Sequence, residues 1–116
     1  MPLEQFLDER VFEPLGLRDT VFWADGNRTD RLATVYRPDN ASGALYPHAI
    51  EEIPFTERPT LIEGGVGLLS STMDFLRFSQ MFLNKGELGG TRVLRPETVE
   101  LMTRNHVPDA VLPLST

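Results

Sequence analysis

Catalysis by a serine nucleophile requires a base within hydrogen-bond reach, either a histidine held by an acid or a lysine one helical turn away. The chain offers five serines, Ser42, Ser70, Ser71, Ser79 and Ser115. None begins a Ser-x-x-Lys motif, and none stands in a Gly-x-Ser-x-Gly elbow. Lys85 is the only lysine, so a mechanism needing a neutral amine has one candidate base. Ser71 has the spacing to Asp74 of a capping box at a helix start, which is a structural use of its hydroxyl. His48 with Glu51 and Glu52 could suggest acid-base or metal chemistry, but the stretch lacks the second histidine of the zinc protease motifs. His106 follows an expected helix end, where a cation suits the terminal carbonyls or is simply solvated. Gly64, Gly65 and Gly67 superficially suggest a phosphate-cradling loop, yet no buried strand precedes them and no Lys-Ser or Lys-Thr pair follows. Such glycines permit close approach of the backbone to a packed neighbour or to a ligand. Trp23, Tyr36 and Tyr46 can be core or pocket aromatics. The residues alone yield no complete active site, no metal site and no cofactor motif.

The elements that would position these residues follow from periodicity. Pro2 suits a first helical position, and Leu3, Phe6, Leu7 and Val11 form one apolar stripe, which predicts a helix over residues 2–13 that ends at Pro14 and Gly16. A short extended piece, Thr20 to Trp23, follows. Residues 24–63 carry four prolines and several turn signals, with at most one short helix near Arg28 to Thr34. The apolar residues in that stretch, Ile50, Ile53 and Phe55 among them, favour a packed, wall-forming loop excursion over disorder. A second helix is expected from Thr72 to Asn84, with Phe75, Phe78 and Phe82 on the inward face and Lys85-Gly86 closing it. A turn at Gly89-Gly90, a strand from Thr91 to Leu94 and a helix from Pro96 to about Asn105, with Val99 and Met102 inward, complete the reading. The fold class expected for this chain is mainly α with irregular loops.

Charge and composition narrow the partners. A net charge of −6 repels nucleic-acid backbones and anionic membrane surfaces. No apolar run approaches the roughly 18 residues of a membrane-spanning helix. The absence of cysteine excludes disulfides and thiolate chemistry.

Three stretches in order resemble the serine β-lactamase-like family, which includes class C β-lactamases, D-Ala-D-Ala carboxypeptidases and family VIII esterases. They are Pro2 to Thr20, Gly64 to Phe82, and Gly86 to Thr103. The resemblance implies that residues 1–116 are a partial domain from the helical region of an α/β (α+β) serine hydrolase fold. That part would lie after the Tyr-x-Asn motif and before the final active-site strand. It implies a small-molecule ester, amide or β-lactam substrate, an acyl-serine intermediate and a missing remainder of the domain that carries the nucleophile. No residue here carries over as catalytic, so the isolated chain is expected to be inactive. What carries over as substrate-binding is the turn Glu63, Gly64, Gly65 and Val66, which in relatives borders the cleft. Relatives commonly have Gly-x-Pro-Leu at the start of this segment, so Met1 is expected to be an internal methionine. The alternative is a noncatalytic binding module that reuses the helical region.

Overall fold

The computed structural model describes residues 1–48 and 55–107. The packing expected of Ile50 and Ile53, the carboxylates of Glu51 and Glu52, and the tail with Ser115 lie outside them. Pro2 precedes α1 (Leu3–Leu7), which runs without a break into a π-helical stretch, Asp8–Phe12, and a last turn, α2 (Glu13–Leu15). The helix therefore passes its expected end at residue 13. A proline ring normally collides with the carbonyl four residues back. Here the turn before it widens to the π pattern, with the Glu13 N–H on the Asp8 carbonyl, and Pro14 enters in the opening residues of α2. Gly16, at φ +66°, then reverses the chain in the left-handed region, and the Leu17 N–H reaches back to the Phe12 carbonyl at 2.9 Å.

The excursion opens with a 3-10 segment, Gly26–Arg31, in place of the short helix expected near 28–34. A hairpin follows, β1 (Tyr36–Pro38) against antiparallel β2 (Leu45–Pro47), with Tyr36 opposite Pro47. Its turn is organised by Asp39, whose Oδ1 accepts the Ala41 and Ser42 N–H groups at 3.1 and 2.7 Å and the Ser42 hydroxyl at 2.8 Å. Strands of three residues, exposed throughout, show no apolar alternation, so the pattern does not announce them.

α3 (Thr72–Leu83) starts where Ser71 caps it, the Ser71 Oγ accepting the Asp74 N–H at 3.3 Å. The capping box is only half made. Asp74 is buried and turns its carboxylate away from the cap, with Oδ2 accepting the Asp19 N–H at 2.7 Å and the Thr20 hydroxyl at 3.0 Å. This carboxylate ties the first helical unit to α3, next to a lone antiparallel bridge between Val21 and Leu69 that fulfils part of the expected extended piece. The core joins Phe12, Leu15 and Leu17 to Met81, with Phe78 and Phe82 packed against it in an edge-on pair, ring centroids 5.1 Å apart. Phe75, expected inward, is 66% exposed.

The end of α3 is a Schellman closure. The Gly86 N–H bonds the Met81 carbonyl at 2.8 Å and the Lys85 N–H the Phe82 carbonyl at 2.9 Å. Lys85, not a glycine, takes the left-handed position, at φ +56°. Gly86 is required for a different reason, since a Cβ there would stand 2.1 Å from the Leu94 carbonyl oxygen. A two-residue turn, with Gly89 and Gly90 both at positive φ, joins β3 (Glu87–Leu88) to β4 (Thr91–Arg92). α4 (Pro96–Thr103) closes the described chain; it buries Val99 but leaves Met102, expected inward, exposed.

Candidate functional site

The expected substrate-binding turn leads out of the excursion toward α3. Glu63 and Val66, with Gly67, line a concavity of about 500 Å³ whose other walls include Phe22 and residues 57–62. Gly64 and Gly65 do not line it. A Cβ on Gly64 would meet only the Leu3 side chain, at an ordinary 3.9 Å, and one on Gly65 would meet nothing, so neither position forces a close approach. Gly67, at φ +106°, is the residue of this turn whose backbone needs glycine. One rim is fixed by Arg58, which pairs with Glu4 and lies 5.8 Å from the centroid of the Trp23 ring. Trp23 and Arg58 are far apart in sequence, and no local pattern links them.

A larger cleft of about 840 Å³ opens beside the Val21–Leu69 bridge. Its walls include Val21, Arg31, Leu32, His48, Leu69 and Ser70. Arg31 grips Asp19 with both terminal nitrogens, at 2.7 and 2.8 Å. Those hydrogen bonds, more than the charge of Arg31 itself, hold the Asp19 carboxyl below its usual range, and the same contacts raise Arg31. Ser70 shares a hydrogen bond with the Thr20 hydroxyl at 2.9 Å.

None of the serine side-chain hydrogen bonds among the described residues involves a lysine or histidine ring. Ser71 caps α3, Ser42 belongs to the Asp39 turn, and Ser79 donates to the Phe75 carbonyl at 2.8 Å. Lys85 sits past the opposite end of α3 from Ser71. The His106 ring reaches the Leu101 carbonyl near the end of α4 at 2.6 Å. Among the described residues, no group of three or more histidine and acidic side chains is arranged to hold a metal.

A family model described as Beta-lactamase matches residues 1–114. The chain is 39% identical over 108 residues to an uncharacterized protein of Mycobacterium tuberculosis, covering 93% of this chain and 26% of that protein. Its fold superposes on simvastatin synthase (LovD) from Aspergillus terreus with TM-score 0.73 and 25% identity, covering 93% of this chain and 25% of the synthase. It also superposes on the octameric penicillin-binding protein homologue from Pyrococcus abyssi with TM-score 0.68 and 22% identity, a likeness of fold, covering 97% of this chain and 22% of that one. The chain thus spans about a quarter of the length of the relatives it matches.

Proposed function

Because the chain belongs to the beta-lactamase family, we propose that it is one part of a serine hydrolase acting on small-molecule esters, amides or β-lactams through an acyl-serine intermediate, with the nucleophile supplied by the rest of the domain. In this reading residues 1–116 come from the helical region of an α+β domain. The excursion 24–63 and the turn Glu63, Gly64, Gly65 and Val66 form one wall of the substrate cleft. The observation that carries the reading is the state of Ser71. It is the serine next to the α3 start, its Oγ accepts a backbone N–H as a helix cap, and among the described residues it hydrogen-bonds no lysine or histidine. The titratable group its side chain does meet is the Asp19 carboxylate, which Arg31 holds below its usual range and which is therefore a poor base. The concavity bordered by Glu63 and Val66 supports a wall role, since it offers a carboxylate and an apolar side chain to a small ligand. The alternative, an independent binding module, would need a closed core. The exposure of Met73, Phe75, Leu83 and Met102 favours the partial-domain reading.

The test is to assay the 116-residue chain alone against a chromogenic short-chain ester and a chromogenic cephalosporin. No turnover above buffer is expected. Turnover that Ser71→Ala abolishes would overturn the assignment of the nucleophile to the remainder of the domain.

A further inference from the structure

α3 is apolar on two opposite sides. Phe78 and Met81 face the core of this chain. At 3.6 residues per turn, Leu76 and Leu83 fall within about 20° of each other and roughly 140–160° from Phe78 and Met81, with Met73 on the flank of that stripe, about 60–80° round the helix. These three are 62%, 45% and 82% exposed. A helix with apolar residues on both sides is ordinarily sandwiched between two layers, and among the described residues only one layer is present. The whole chain has the same excess of surface. It exposes 9168 Å², whereas a compact monomer of its 13.1 kDa exposes about 6,400 Å². Its radius of gyration is 18.1 Å, against about 13 Å for a compact chain of this length. The difference in area is well beyond the roughly 800 Å² that one partner buries in a standard interface.

We infer that the Met73, Leu76 and Leu83 stripe is the docking seam for the complementary portion of a β-lactamase-like domain, the polypeptide corresponding to the three-quarters of each relative that this chain does not span. The inference rests on the partial-domain proposal above and adds the surface at which the two parts meet. The occupant follows from the coverage. The matches take in 93% to 97% of this chain but only 22% to 26% of the matched proteins. In those proteins the matched segment is embedded in a polypeptide about four times as long, which is ample to form a second layer. A second copy of this chain is a poorer occupant, because each copy carries a net charge of −6 and self-association would bring like charges together.

The test co-expresses the tagged full chain with the complementary portion of the Mycobacterium tuberculosis relative, that protein with its matching 108-residue stretch removed. Captured complexes are weighed by light scattering. A one-to-one complex is expected. The double variant Leu76→Asp with Leu83→Asp should lower recovery of the complementary portion by roughly tenfold or more, since each substitution brings a carboxylate into an apolar contact. Leu45→Asp, on exposed β2, should leave recovery unchanged. Both stripe positions are exposed, so the variant chain should retain its helical circular dichroism, and that spectrum checks it. Equal recovery with the double variant overturns the seam. So does failure to recover the complementary portion when both parts are soluble, and so does a homodimer that the double variant dissolves. Hydrolysis is read separately. A one-to-one complex that turns over neither ester nor cephalosporin counts against the hydrolase reading and leaves the seam standing, whereas an active complex indifferent to the two aspartates does the reverse.

Discussion

Ser71 to Thr103 and the excursion from residue 24 to 63 are held by different means. In the first, the reversals rest chiefly on closures within a few residues, namely the Ser71 cap, the Schellman closure with Gly86, the Gly89-Gly90 turn and the Pro96 helix start, with Arg92 bridging the Lys85 and Leu94 carbonyls and pairing with Glu87. In the second, the hairpin strands are exposed throughout, and polar side chains do the holding. Asp39 organises the turn, Asp25 pairs with Arg28 at 2.8 Å, and Arg31 reaches outside the excursion to Asp19. Backbone closure within a few residues is set by chain geometry and varies little with pH or salt. Exposed ion pairs and carboxylate-capped turns contribute little stability and vary with pH and salt. A rigid frame thus stands beside a wall that can adjust.

The strongest way to break this contrast is at Gly86. Gly86→Ala puts a methyl group against the Leu94 backbone, 2.1 Å from its oxygen and 2.7 Å from its carbonyl carbon. Because neither atom belongs to a flexible side chain, the loss should be about 3 kcal/mol, read as a fall in the urea midpoint at unchanged slope. A loss under about 1 kcal/mol would mean that the closure yields and is not a rigid frame.

The next largest effect is expected at Asp74, the buried carboxylate that links the frame to residues 19 and 20. Asp74→Ala removes the acceptor of the Asp19 N–H and of the Thr20 hydroxyl, at a cost of about 2 kcal/mol. Amide exchange should quicken at residues 19–24 and stay slow at 86–94. Uniform quickening would show that the two regions unfold as one.

The smallest effect belongs to the wall. Asp39 is held below its usual range first by the Ser42 N–H, and Asp19 first by hydrogen bonds from Arg31. A carboxyl whose folded pKa is depressed stabilises fully above its unfolded value, and that contribution disappears as pH falls through the folded value. Both carboxyl carbon resonances should therefore titrate below the ordinary 3.8. The hairpin and 3-10 segment should loosen there while Ser71 to Thr103 keeps its amide shifts. Midpoints at or above 3.8 would remove the polar side chains from the account.

The same contrast explains what could be read in the sequence. Ser71 as a cap, α3 from Thr72, the Gly89-Gly90 turn and the start of α4 at Pro96 were all legible, because each depends on residues within a few positions of itself. Phe75 and Asp74 were not. Periodicity groups Phe75 with Phe78 and Phe82, but it cannot say which edge of the stripe is covered. The burial of Asp74 depends on partners 54 and 55 residues away. The Asp39 hairpin was hidden because its strands are exposed on every residue and offer no alternation. Of the expected substrate-binding turn, the glycines were easy to see. That Glu63 and Val66, and not Gly64 and Gly65, line the concavity depends on the path of residues 57–62.

The π-helical stretch at Asp8–Phe12 does more than admit a proline. A wide turn is equivalent to one residue inserted into an otherwise α-helical repeat, so it offsets the phase of everything before it relative to everything after. Deleting one residue there would restore a uniform α-helix and leave α1 and α2 facing as they do, whereas tightening the stretch to α geometry with all its residues kept would turn α1 by about 100° relative to α2. Leu7 would then swing off the core that Phe12 and Leu15 still occupy. The opening helix is a phase shifter, and its single surplus residue lets two differently oriented stripes of side chains meet the same core.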